Sequence, residues 1–544
     1  MRTAAWQPLV WVLVLLATDM PDVQAASILG FAAIGARSHQ YCMLRIGQEL
    51  SARGHTFTLL VSDLENLSVL ELGSKAFPGL NVVAFSGPPG VGTKEWYEQL
   101  SRDLTTGLKQ LQHEMISGAH HLYSDKATLQ KLLDADYDVL LRDALYWPAA
   151  LLDDVLGIPS IDVLSAAPFQ PMFGYYTANP NPVAYLPQLG SGLTPDMSFL
   201  QRCQNYLQKV LIEQIPMRLN AGKQRQFMRE SGLRVRTYEQ GYSTSVAAIF
   251  AADWALEYPH PVSPKVHMVG AVMADDAKPL PADLTAFLEQ NLAEGHGGMY
   301  VSMGTAARLT QQEMQGLSEA LSALPNPVLW KVSAVQLPKN MSLESIAAAN
   351  IRFTSWAPQN DVLGLPSLKA FITHAGSNSI HEAAYHGKPV ICIPLLADQF
   401  DQAARAEYHG FGLTVMPAKL TSSQAMSHAI KRIMSEPHFA ANAQKVQKRM
   451  SNKPRHPAQV AADIVERVIA TGGDPYLATK MHSLSWWQLS LLDVKLFLAA
   501  AGAVMCGIIG GLVWLVWKLI QGAVKRCLRF HGQSRHQAVH NKIS

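Results

Sequence analysis

Cysteine is scarce: the chain has five in 544 residues, and two of them, Cys506 and Cys527, lie in or just past an apolar run near the C-terminus. That leaves Cys42, Cys203 and Cys392, too few for a disulfide framework, so the fold must rest on large packed cores. Cys392 sits inside PVICIPL and reads as a small buried hydrophobe. Charge is thin as well. At 16% charged residues and a formal net charge of +3, the composition excludes the basic surface that a nucleic-acid partner requires. No fixed-period repeat or low-complexity tract occurs. A zinc helix is also missing, although HEAAYH resembles one at first sight. His381 and His386 are five positions apart, about 140° around a helix, whereas an H-E-x-x-H pair is about 40° apart and can share an ion.

What is present begins at the two ends. The first residues carry an early Arg2, an apolar run from Leu9 to Ala17 and a small-residue exit at Val23-Gln24-Ala25, the pattern of a secretory signal peptide over 1–25. Leu496 to Trp517 carries no charge and, as a helix, would span about 30 Å of hydrocarbon. Lys518, Lys525, Arg526 and Arg529 follow it, so the positive-inside rule places the tail 518–544 in the cytosol and the bulk of the chain in the lumen. Two N-x-S sequons, at Asn66 and Asn340, fit that side.

Between the ends, strands and helices alternate. Ile28 to Ala33 reads as a buried strand, Gly35 to Ser38 as a loop, and Met43, Ile46, Gly47 and Leu50 share a helical face before the strand Thr56 to Val61. A fresh series starts at MYVSMG, after the Pro- and Asp-rich stretch MADDAKPLPADL. The expected fold is α/β, with two doubly wound Rossmann-like domains over 26–275 and 285–440, then returning helices and a pre-membrane segment over 441–490.

The most informative stretch is LKAFITHAGSNSIHEAAYHG. An apolar strand, a loop of small residues with Ser and Asn, and a helical pattern from Ile380 to Tyr385 make a ready site for phosphate at a helix N-terminus. With its flanks, residues 356 to 412, this segment strongly resembles the signature of the UDP-glycosyltransferases. Further likeness lies in S-H-Q-Y, LPADLTAFLE and SWWQLSLLDVKLFL.

The resemblance implies a GT-B type fold with a cleft between the domains, a UDP-sugar donor and no separate cofactor. It also implies roles. Trp356 would stack on uracil and Gln359 would read the base edge. His374 would meet the diphosphate, with N–H groups and hydroxyls of Gly376, Asn378 and Ser379, while Ser302, Gly304 and Thr305 form the other phosphate-side loop. Glu382 would accept from the ribose hydroxyls, and Asp398 and Gln399 would hold the transferred sugar. Gln402 stands where relatives carry Asn.

Transfer to an alcohol requires a base, and His39 occupies the family's catalytic position, with Asp143, at the end of YDVLLRD, orienting it. The expected chemistry is direct displacement with inversion, without a metal. Two rivals are a metal-dependent transferase using Asp134, Asp136 and Asp138, and an inactive membrane-anchored subunit that binds the donor. The acceptor side is expected from Leu64 to Leu111 and Pro168 to Phe227, whose aromatics, Met and Pro suit a lipophilic alcohol, phenol, sterol or ceramide. Homo- or hetero-oligomers and endoplasmic reticulum residence are further expectations from the resemblance; the tail end Asn541-Lys542-Ile543-Ser544 offers one Lys where a dilysine signal needs two.

Overall fold

The computed structural model describes residues 25–63, 79–91, 104–166, 179–236, 244–305, 307–339, 341–474 and 479–540, together with Phe77, Trp96 and Leu477. The expected signal peptide up to residue 24, both sequons and parts of the expected acceptor side (64–76, 78, 92–95, 97–103 and 168–178) lie outside these residues.

Among the described residues, strands fall into two sheets, each parallel throughout. The first contains β1 (Ser27–Phe31), β2 (Thr56–Ser62), β3 (Asn81–Phe85), β4 (Val139–Asp143), β5 (Ser160–Leu164), β6 (Ala247–Phe250) and β7 (Val266–Met268), in the order β3-β2-β1-β4-β5-β6-β7. The second contains β8 (Met299–Ser302), β9 (Val328–Lys331), β10 (Ile351–Thr354), β11 (Ala370–Thr373), β12 (Val390–Cys392) and β13 (Gly412–Thr414), in the order β10-β9-β8-β11-β12-β13. These strands are short apolar runs because both faces are covered. In β1, Leu29 and Phe31 enter one core layer and Ile28 the other; in β8, Met299 and Val301 take one layer and Tyr300 the opposite one.

Strand order reverses between β1 and β4 in the first sheet and between β8 and β11 in the second. Open parallel sheets splay their connections apart at such points, leaving a crevice beyond the carboxyl ends.

Six helices bear on the site or its surroundings: α1 (Arg37–Ala52), α2 (Phe199–Gln208), α3 (Ser377–Tyr385), α4 (Gln399–Tyr408), α5 (Pro457–Thr471) and α6 (Leu492–His540). The helix α1 starts at Arg37, so the expected loop Gly35 to Ser38 is half helix. Its opening has no side-chain cap; instead His39 N–H and Gln40 N–H donate to the Ala36 carbonyl. The returning helix α5 buries Ala461, Val465 and Val468 beside Ile46 and Leu50 of α1, in the core of the first sheet. Arg53 reinforces the contact, reaching Asp463 and Glu466 at 2.8 Å each.

Both sheets, with α5, belong to one compact unit through residue 478, and a second unit begins at Thr479. The second unit carries α6, whose segment Leu492–Arg529 is long and apolar enough to cross a membrane and is unburied by protein. It is longer than the expected 496–517.

Candidate active site

The first cluster forms at the switch point of the first sheet. His39 lies in the opening turn of α1, just after β1, and Asp143 closes β4. Their side chains meet, His39 Nδ1 to Asp143 Oδ2, at 2.7 Å. The carboxylate is fixed in turn: its Oδ2 accepts from Ala33 N–H and its Oδ1 from Leu145 N–H, at 2.9 Å each. An acceptor on Nδ1 makes that nitrogen the donor, so the lone pair is left on Nε2. Burial pulls the His39 pKa down, but the Asp143 charge and hydrogen bond, with the Asp398 charge, hold it above the ordinary 6.5. Asp143 is fully buried; burial would raise its pKa, and the His39 contact and the two backbone donors keep it below the usual carboxylate value.

The two lobes converge here: Arg405 of α4 reaches Glu257 at 2.7 Å and Gly190 N–H donates to Asp401 at 2.6 Å. Asp398 stands just before α4, beyond β12 of the second sheet, without a side-chain capping bond, and burial pushes its pKa up to about 6. The preceding Ala397 has φ +49°, a backbone region that costs an alanine about 1 kcal/mol or more and that is characteristic of ligand sites. Gln399 is committed on one side: its Oε1 accepts from Leu395 N–H at 2.8 Å and Leu396 N–H at 3.0 Å. Its amide nitrogen remains to meet a ligand.

The second cluster forms at the other switch point. His374 follows β11, and its ring fits between two glycines. A Cβ on Gly304 would lie 2.4 Å from the ring and one on Gly376 would lie 2.6 Å from it. Gly304 also has φ +70°, so glycine is required there twice over. Ser302, at the end of β8, is buried and its Oγ accepts from Gly304 N–H at 3.3 Å; Thr305 is partly exposed beside it. Burial, then the nearby Lys331, drive the His374 pKa down to about 4. The ring is therefore neutral at pH 7 and offers a hydrogen bond in place of a charge.

Behind it, α3 begins at Ser377 with Gly376 as N-cap and no side-chain cap. Its first N–H groups are left for a ligand. Asn378 is half-buried in this first turn. The start is three residues earlier than the pattern Ile380 to Tyr385 suggests, because the small polar residues of the loop themselves join the helix.

Glu382, one turn further, is buried with its carboxylate against Gln359 Nε2, which also donates to Ser379 Oγ at 3.2 Å. Burial pushes Glu382 up to about 7 despite Gln359 and Lys331. Trp356 is 64% exposed, which rules out the core role that an aromatic usually has and leaves its face open for stacking. His381 and His386 have helical partners instead of a shared ion: His381 Nδ1 contacts Ser377 O at 2.8 Å and His386 Nε2 contacts Asn360 Oδ1 at 2.9 Å.

Lys331 was not singled out from sequence. It closes β9, its Nζ donates to the Gly304 carbonyl at 3.0 Å, and it acts on both His374 and Glu382. A charge ending the apolar run PVLWK was the available signal. The acidic run is elsewhere: Asp138 accepts from Ser27 N–H at 2.7 Å and Asp134 from Gln130 at 2.7 Å, both at the amino end of β4. About 16 Å of strand separates that end from Asp143. Among the described residues no group of three His, Cys, Asp or Glu side chains is placed to hold a metal ion.

Two parallel Rossmann-type sheets, each with a crevice at its switch point, make the GT-B fold of the glycosyltransferases. The chain belongs to the family described as UDP-glucoronosyl and UDP-glucosyl transferase, which matches residues 31–527. It is 29% identical to UDP-glucuronosyltransferase 1-2 of Mus musculus over 97% of this chain and 96% of that protein. UDP-glucuronosyltransferase 2A3 of the same organism is 30% identical over 85% and 87%. Among solved structures, a UDP-glucosyltransferase from Polygonum tinctorium superposes with a TM-score of 0.57 at 17% identity, covering 82% of this chain and 99% of that one. The protein is thus an enzyme that transfers a glycosyl group from a UDP-sugar.

Proposed function

We propose that the enzyme moves a hexose or hexuronic acid from its UDP-sugar to the hydroxyl of a small lipophilic acceptor by single displacement with inversion. The observation that carries this reading is the His39–Asp143 pair at 2.7 Å, which leaves Nε2 to take a proton. The acceptor O–H gives its proton to His39 Nε2 as its oxygen attacks the anomeric carbon and the bond to the diphosphate breaks. Asp143 holds the tautomer and balances the imidazolium.

Charge on the departing UDP is met by the N-terminus of α3, the neutral His374 and Lys331, without need of a metal ion. Trp356 and Gln359 hold the base, Glu382 the ribose, and Asp398 with the Gln399 amide the sugar. Ser302, Gly304, Thr305, Gly376, Asn378 and Ser379 surround the diphosphate. The names of the relatives favour UDP-glucuronic acid among UDP-glucuronic acid, UDP-glucose and UDP-galactose. With α6 as a single anchor, the catalytic unit would lie in the lumen of the endoplasmic reticulum, after removal of residues 1–25.

The test is radiolabelled transfer by detergent-solubilised enzyme from each of the three donors to a pool of phenols, sterols and ceramides. His39→Ala is expected to cut transfer about a thousandfold while UDP still binds. UDP binding with no transfer by the wild type from any donor would refute the reading.

A further inference from the structure

The sugar-reading helix α4 is tied to the first lobe at both ends. Its later turns are held through Arg405, which reaches Glu257 at 2.7 Å, and His409, whose Nε2 meets the Leu256 carbonyl at 2.9 Å. Its first turn is held through Asp401, a buried residue. Asp401 Oδ2 accepts from Gly190 N–H at 2.6 Å and Oδ1 from Gly192 N–H at 3.0 Å. These glycines have φ +73° and +60°, which turns both N–H groups to one side and forms an anion-binding nest for the chain's own carboxylate.

The loop that makes the nest is rigid from behind. Asn205 of α2, fully buried, accepts from Gln188 N–H at 2.8 Å and donates to the carbonyls of Val183 and Leu186 at 2.9 Å each. Gln188 and Asn181 exchange amide hydrogen bonds of 2.9 and 3.1 Å. Such a fully paired polar network holds one geometry.

We infer that Asp401 is a positioning residue: it locks the first turn of α4 to the Asn179–Leu193 loop, so that the placement of Asp398 and Gln399 on the sugar depends on a loop of the acceptor lobe. Asp401 lies one turn from Asp398 and two residues from Gln399 on the same helix start. A shift of the loop therefore moves the sugar contacts but leaves the base, ribose and diphosphate contacts, which sit on α3 and the β8 and β10 loops. Sugar recognition thereby becomes coupled to the acceptor side. The inference rests on the reading of Asp398 and Gln399 as sugar contacts.

Calorimetry on the full-length protein in detergent, with UDP and separately with the UDP-sugar that the transfer assay selects or, if none does, UDP-glucuronic acid, tests it. In Asp401→Asn one N–H of the nest faces an amide NH2. UDP affinity should stay within about twofold of wild type while UDP-sugar affinity falls about tenfold. Asn205→Ala, which loosens the loop without touching α4, should give the same split, and the double variant should be no worse than the weaker single one. Parallel loss of UDP and UDP-sugar in Asp401→Asn would make the role merely structural and overturn the inference, as would no change in either. A split in Asp401→Asn that Asn205→Ala does not reproduce, with UDP bound, would overturn the coupling to the loop. Asp398→Ala is the control for the reading beneath it: if that variant keeps full UDP-sugar affinity, the sugar assignment fails, whatever Asp401 does.

Discussion

At the residue scale, protonation states follow from contacts and give the site its working pH. His39 must be neutral to act as base, and its folded pKa is above 6.5 because Asp143 and Asp398 face it. The neutral fraction therefore grows as pH rises through that raised value, so kcat/KM should climb on the acid side and level off above it. Asp143→Asn removes the largest favourable charge and should move this limb to lower pH as well as lower the plateau; a pH–rate profile with an unmoved limb would contradict the assignment. His374 works by the opposite device, since at about 4 it is neutral across the same range. What places it is space. Gly376→Ala would put a methyl 2.6 Å from its ring, so UDP affinity measured by calorimetry should weaken by about tenfold or more. Here sequence and structure divide unevenly. The resemblance named His374, Gly376 and Gly304 and accounted for the first glycine by its N–H, but the room that the ring needs beside Gly304 is a contact between the β8 and β11 connections that spacing along one segment does not show.

At the scale of elements, what the sequence displayed best was alternation. Runs such as MYVSM and KAFIT are apolar on both faces and become strands covered by helices on both sides, and YDVLLRD ends its strand at Asp143. Strand order was not legible, because nothing local states that β1 lies between β2 and β4. That order decides which loop ends share a crevice, and so it is what joins His39 to Asp143 across 104 positions. Helix starts were misjudged for a related reason. α1 and α3 open without side-chain caps, so the usual Ser, Thr or Asp signal is missing and the tertiary frame sets the first turn. The same topology sorts the acidic residues. Asp134 and Asp138 lie at the amino end of β4, so Asp134→Ala and Asp138→Asn should leave transfer within about twofold of wild type, and transfer should persist in EDTA. A loss above tenfold in these variants, restored by Mn²⁺ or Mg²⁺, would reinstate the metal reading.

For the whole molecule, the decisive fact is that every site residue named above lies within the unit that ends at residue 478, while the apolar span lies in the unit beginning at Thr479. The first unit also contains its own closure. α5 returns to the first sheet and buries Ala461, Val465 and Val468 there, and Arg53 holds it through Asp463 and Glu466. Apolar burial of three such side chains contributes a few kcal/mol, roughly 25 cal/mol per Å² removed from water, which a chain cut before α5 would forgo. A chain ending before Thr479 keeps α5 and loses the second unit with its span. It should therefore leave the membrane fraction and still bind UDP with wild-type affinity, whereas a chain ending before Pro457 should lose both solubility and UDP binding. Carbonate extraction and calorimetry on the two truncations check this. Equal failure of both would mean that the second unit is needed for the fold, and retention of the longer one in membranes would show that a surface of the catalytic unit itself holds it there.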